Sequence, residues 1–157
     1  MEGEKVVGLV EEEKEEKLIR IKTFLYSEIR NEVKKAKKVK KLKKALDIMT
    51  NLYYVSNHEK INESDYKKII NIVKKFLVVY NIKTLMRFLD IEQINFLFNV
   101  LCENDIKYNA KSSYIALTVL HDILVNSKAE ELTELLSSEE VNFIYNLTLK
   151  IHEKIIF

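Results

Sequence analysis

Apolar residues recur along most of this chain at steps of three and four, the spacing that lines up one face of an α-helix. A first stripe runs through Leu18, Ile21, Leu25, Ile29 and Val33. Five glutamates within residues 11–16 precede it, where negative charge favours the positive end of a helix dipole. Residues 1–10 lack the pattern and read as a flexible leader. From Val33 the spacing changes, because Val33, Ala36, Val39 and Leu42 are each three apart. Each such step falls about 60° short of a full helical turn, so the stripe swings half way round the helix. One straight helix cannot hold all four against the same core. The pattern therefore calls for a break near residues 36–41, or for a basic helical arm over about residues 30–45 that leaves the body. An ordinary stripe resumes at Leu46, Met49 and Leu52 or Tyr53.

Residues 57–63 read as a loop, with Asn62 or Ser64 capping the next helix. That helix turns Ile69, Ile70, Val73, Phe76, Leu77 and Tyr80 inward and Lys67, Lys68, Lys74 and Lys75 outward. Tyr80-Asn81 ends it, and a short helix then holds Leu85, Met86, Phe88 and Leu89. Asp90 with Gln93 makes a capping pair for a helix through Ile94, Leu97, Phe98 and Leu101. Residues 110–125 are apolar nearly all round, the mark of a central core helix. Ser127 with Glu130 and Ser137 with Glu140 are two further capping boxes, opening a short helix and a final one. The expected fold is all-α: a single-domain bundle of six to eight helices over residues 11–157, with a long, highly charged N-terminal helix or helix pair. No period of 30–45 residues repeats, which disfavours a helical solenoid.

Composition narrows the chemistry. Among 157 residues there is no proline, and the only glycines are Gly3 and Gly8. Turn-rich β folds and glycine-rich phosphate loops both need more of these residues. The single cysteine, Cys102, leaves no partner for an internal disulfide and fits a reducing cytoplasm. It follows the apolar run Phe96 to Leu101 and is expected to be a buried, inert thiol. No long uncharged apolar run suggests a membrane span, and the glutamate-rich start is unlike a secretory signal. A cytoplasmic protein is expected.

The net charge of +2 conceals a strong asymmetry. Residues 1–16 carry seven acids against two lysines; residues 17–87 carry nineteen bases against six acids; residues 88–157 carry five bases against eleven acids. The basic middle is concentrated in Lys34, Lys35, Lys37, Lys38, Lys40, Lys41, Lys43 and Lys44, eight cations in eleven residues with no acid among them. Like charges at i, i+4 repel, so the tract is a poor stabilising device. A phosphate backbone reverses that penalty by releasing counterions, and lysine, a point charge, reads no base sequence. Three occupants of the tract stay open: a nucleic acid, RNA ahead of DNA; an acidic protein surface, including the acidic end of a neighbouring copy; or solvent alone. Lys34, Lys37, Lys38, Lys41, Lys43 and Lys44 are the candidate nucleic-acid contacts. Tyr53, one or two turns further on, is a candidate for stacking on an unpaired base, with core packing as the alternative.

Nothing in the sequence assembles a catalytic or metal site, and no cofactor is expected. His58, His121 and His152 lie on distant segments without ligand spacing. His121 beside Asp122 reads as a satisfied core or boundary histidine. Asp90, Glu92, Glu103 and Asp105 bracket one helix and read as caps and solvated ends. The expectation is a non-enzymatic protein that binds a nucleic-acid backbone. The alternative is a protein–protein adaptor or viral inhibitor that grips an acidic partner.

From Lys40 onward the order of features resembles the small subunit of type III CRISPR–Cas effector complexes. A basic helix, Lys41-Leu42-Lys43-Lys44-Ala45-Leu46, ends in Leu52-Tyr53-Tyr54 and leads into the polar Ile61-Asn62-Glu63. A second helix runs to Val79-Tyr80, followed by the aromatic–leucine stretch Arg87-Phe88-Leu89. The resemblance spans about residues 40–125. It implies a non-catalytic subunit of an antiviral ribonucleoprotein that stacks in several copies along a guide–target duplex. Lys41, Lys43 and Lys44 are the positions at which it implies phosphate contacts. The long charged front helix and the helix after Ser137 depart from that pattern.

Overall fold

Helix ends in this protein are set largely by side chains three residues apart. The computed structural model describes residues 2–30, 35–55, 61–102 and 107–154, and these form eight helices with no strand. They are α1 (Glu2–Arg30), α2 (Lys35–Val55), α3 (Glu63–Val79), α4 (Ile82–Leu85), α5 (Ile91–Leu101), α6 (Ala110–Val125), α7 (Ala129–Leu135) and α8 (Ser138–Glu153). Asn62 caps α3, its side-chain oxygen accepting from the Asp65 amide at 2.7 Å. Asp90 with Gln93 and Ser137 with Glu140 close the expected capping boxes of α5 and α8. Asn109 with Ser112 closes another for α6. The Ser127–Glu130 box does not form. Ser127 Oγ donates instead to the Ile123 carbonyl at 2.6 Å and receives the Tyr80 hydroxyl at 2.8 Å. Lys128 is left as the N-cap of α7, with no side-chain bond.

The all-α bundle stands, built around α2 and α6. Helix α2 packs most extensively on α8 and also on α6 and α7, while α1 lies along α8. Helices α3 and α5 pack on α6. Eight of the sixteen residues of α6 are buried, including Leu117, Leu120, Ile123 and Leu124, which fits its apolar circumference. Helix α8 also runs beside α3, where Lys150 meets Asp65 at 3.3 Å and Lys75 meets Glu140 at 2.5 Å.

Three expectations are corrected. Helix α1 begins at Glu2, so the helical pattern expected from Glu11 starts earlier, and residues 2–10, read as a flexible leader, are helical backbone. Once a nucleus exists, each further residue adds one hydrogen bond, which lets the glutamate-rich turn extend toward the N-terminus. Residues 36–41 contain no break either: α1 stops at Arg30, and α2 is continuous from Lys35 to Val55. The drift is resolved by leaving Ala36 exposed while Val39, Leu42, Leu46 and Met49 are buried. The tract is therefore one face of a core helix and not a projecting arm. Finally, Cys102 is exposed. It is the C-cap of α5, just past Leu101, itself 56% exposed, and the apolar stripe of this helix faces partly outward.

Candidate nucleic-acid interface

Lysine and leucine are both good helix formers, so the tract can be helical and amphipathic at once. Every third or fourth residue of α2, from Val39 through Leu42, Ala45 or Leu46, Met49 and Leu52 to Tyr53, points into the core. The lysines occupy what remains of the circumference, and the fold divides them into two sets.

One set is tied to the protein's own structure. Lys41 Nζ lies 2.7 Å from Glu28 Oε1 on α1. Glu28 is only 2% exposed, and its Oε2 has no hydrogen-bond partner among the described residues. Lys38 Nζ donates to Asn142 Oδ1 on α8 at 3.1 Å. Lys44 Nζ sits 4.5 Å from the centre of the Phe24 ring, a cation–π contact back to α1. The Tyr145 hydroxyl of α8 donates to the Lys38 carbonyl at 2.8 Å. Burial pushes that phenol well above its ordinary pKa, and the Glu28 charge adds to the effect.

The other set is free. Lys37 and Lys40 are exposed, and Lys43 is half-buried. None of the three has an acidic or hydrogen-bonding partner among the described residues. The three form a ridge about 9 Å long that winds part of the way round α2, from the helical rise over six residues. Lys34 lies outside the described residues. Tyr53 is 2% exposed and its ring stacks on Tyr114 at 6.0 Å, so it belongs to the core and is withdrawn as a base-stacking candidate. Its position two turns along the buried stripe from Leu46 turns the ring inward. Of the lysines on α3, Lys67 reaches Glu63 at 3.8 Å and Lys68 lies over Phe143 at 5.4 Å.

A second polar cluster links α2 to α6. His121 Nε2 faces Asp47 Oδ1 at 2.6 Å, and Nδ1 faces Asp122 Oδ1 at 2.9 Å. Asp122 Oδ2 accepts from Gln93 Nε2 at 2.7 Å, which holds the carboxylate in place. With acceptors at both nitrogens the imidazolium is favoured. The Asp122 hydrogen bond raises the histidine pKa, partial burial opposes it, and Asp47 adds to the rise. A folded-state pKa above the unfolded value gives stabilisation that is complete below about pH 6.5 and is lost as pH rises through the folded pKa. Urea midpoints should therefore fall as pH is raised from about 6.5, with the slope against urea unchanged. His121→Gln should flatten that dependence; an equal fall in the variant would assign it elsewhere.

Among the described residues no three His, Cys, Asp or Glu side chains are placed to hold a metal ion. His58, Glu103 and Asp105 lie outside the described residues. His152 is buried, with Nε2 2.9 Å from the Leu18 carbonyl of α1. No helix among the described residues is long and apolar enough to cross a membrane.

Two features escape a reading of local pattern. The Glu28–Lys41 pair had a signal, because Glu28 falls three residues after Leu25 on the stripe that α1 buries. The other is an apolar depression of about 140 Å³ where α3 ends against α4 and α5, lined by Leu77, Ile82, Leu85, Leu97, Phe98 and Leu101. The chain matches no protein-family model, no curated protein and no solved structure at a significant level.

Proposed function

We propose that this protein is a non-catalytic binder of nucleic-acid backbone, acting without sequence specificity as a subunit of a ribonucleoprotein. The observation that carries the reading is the outward ridge of α2, where Lys37, Lys40 and Lys43 have no partner among the described residues. These cations repel one another on a helix that the core holds in place, so an external polyanion relieves a standing penalty. Ammonium groups at helical spacing neutralise phosphates and contact no base edge in a specific geometry, which makes backbone binding the natural outcome. RNA is the preferred partner, in line with the resemblance to type III CRISPR small subunits. Of the positions that resemblance carries over, Lys43 lies on the ridge, Lys44 lies over the Phe24 ring and Lys41 is engaged by Glu28.

The test is a titration of the full chain with single- and double-stranded RNA and DNA of unrelated sequences, across a range of salt. The expected result is binding that is indifferent to sequence and falls linearly in log K against log salt. Absence of binding at low salt would overturn the proposal and leave an acidic protein surface as the ridge's partner.

A further inference from the structure

Apolar side chains left in solvent are ordinary when scattered, whereas a group of them at one place marks a contact. Nine large apolar or aromatic side chains are exposed among the described residues, and seven of them fall from Val78 to Leu101, where α3 gives way to α4 and α5. Val78 is 88% exposed, Ile91 80% and Met86 62%. Helix α5 is apolar on two sides. Phe96, Leu97 and Val100 enter the core, while Ile91, Ile94, Phe98 and Leu101 form a second stripe. Ile82 and Leu85 face that stripe from α4 across a depression of about 140 Å³. This is the size of an apolar cavity that takes a benzene-sized group, so it suits one anchoring side chain.

Charge and shape decide what fits. Lys83 on α4 and Arg87 just after it are exposed, and neither meets an acid among the described residues. The acids close by are occupied: Glu92 reaches Lys111 at 3.6 Å, and Asp90 accepts from the Gln93 amide at 2.8 Å as the cap of α5. Two such surfaces laid face to face would set four cations against one another, which disfavours a second copy. A membrane takes up apolar side chains that protrude, and this surface is hollow at its middle. A polypeptide that is apolar along one line and acidic beside it satisfies both the hollow and the two cations.

The form of that polypeptide follows from what the surface offers. The described residues contain no strand, so there is no sheet edge on which an extended segment could pair its backbone. Affinity has to come from side chains, as it does when an amphipathic helix lies in an apolar groove. The α5 stripe from Ile91 to Leu101 is about 15 Å long, which matches about three turns of an incoming helix. We infer that the groove formed by α3, α4 and α5 docks an amphipathic helix of a different protein, apolar at i, i+3 or i+4 and i+7 and acidic alongside. One large apolar side chain of that helix enters the depression, and its carboxylates pair with Lys83 and Arg87. The contact uses none of the α2 lysines, so it is independent of the binding proposed for the ridge.

The test is selection from a display library of random peptides on the full chain, discarding clones that also bind the variant Ile91→Glu with Leu101→Glu. Both positions are exposed, so the variant keeps its fold, which its circular dichroism and melting curve check, and its lysine ridge is untouched. Surviving clones should carry large apolar residues at helical spacing with Asp or Glu beside them. Lys83→Glu with Arg87→Glu should weaken their binding about tenfold or more, the effect of losing an interface hot spot. Exchanging the peptide acids for lysine should restore binding to that second variant, because the charges then match again. The absence of surviving clones overturns the inference, and so do survivors without acids or survivors indifferent to the Lys83 and Arg87 exchange. Two further results overturn it by giving the groove another occupant. One is binding of the wild type to phosphatidylserine vesicles that the Ile91 and Leu101 exchange abolishes; the other is a wild-type dimer in sedimentation that the same exchange dissolves.

Discussion

Exchanging Lys37, Lys40 and Lys43 for glutamine should lower the salt slope of nucleic-acid binding by about 2 to 3, while barely changing stability. Each neutralised phosphate contributes a slope of about 0.9 on duplex and about 0.7 on single strands, and the variant loses up to three such contacts. On duplex, three contacts correspond to roughly forty-fold in affinity between about 50 and 200 mM salt, so the wild type should lose that much more than the variant. Stability should move by less than about 0.5 kcal/mol, because these side chains touch nothing that the fold requires. The relief of like-charge repulsion makes a small gain the more natural direction. A variant that keeps the full slope would place the contact off this ridge. Lys38 makes the comparison sharper, since its ammonium already donates to Asn142.

Lys41→Met should do the opposite: cost about 2 to 3 kcal/mol of stability and leave the salt slope nearly unchanged. Its partner Glu28 is 2% exposed, and among the described residues no other cation pairs with it. Removing one member of a buried pair strands the other, a loss of about 3 to 5 kcal/mol when both are enclosed. Lys41 is itself half in solvent, and screening there brings the expected figure down. Replacing both residues, Lys41→Met with Glu28→Leu, should recover most of the loss, because no charge then remains buried. Urea denaturation of the four proteins closes the cycle. If Lys41→Met unfolds at the wild-type midpoint, the pair is ornamental and Glu28 is solvated in solution. Against a total stability of about 5 to 15 kcal/mol for an ordinary protein, the expected loss is easily read.

These two outcomes show where sequence reading succeeds here and where it stops. Helix number and most helix ends are local matters. Asn62, Asp90–Gln93 and Ser137–Glu140 act over three residues, and a string of letters contains everything needed to see them. Ser127 looks the same in the string, yet its hydroxyl is claimed by Tyr80, forty-seven residues away. The lysines make the point more strongly. Six near-identical residues of the tract divide into the anchored Lys38, Lys41 and Lys44 and the free Lys37, Lys40 and Lys43 through Glu28, Phe24 and Asn142, none of which lies within the tract. Tyr53 is buried by Tyr114 across the bundle, and Cys102 is exposed because its helix turns much of its apolar stripe toward a groove. Periodicity tells which face of a helix is apolar, but not whether the fold covers that face.

The place of α8 in the bundle bears on the order in which the molecule is assembled. Thr148 reaches toward the Ala45 carbonyl, Tyr145 toward that of Lys38 and His152 toward that of Leu18, contacts that join residues more than a hundred positions apart. Loop closure over such distances comes late in folding and slows it, where neighbouring helices close early. As the chain is synthesised, α1 and α2 precede the helices they mainly pack on, α6, α7 and α8. Their packing is completed only when α8 has been made, and until then their charged outer faces oppose association with other chains.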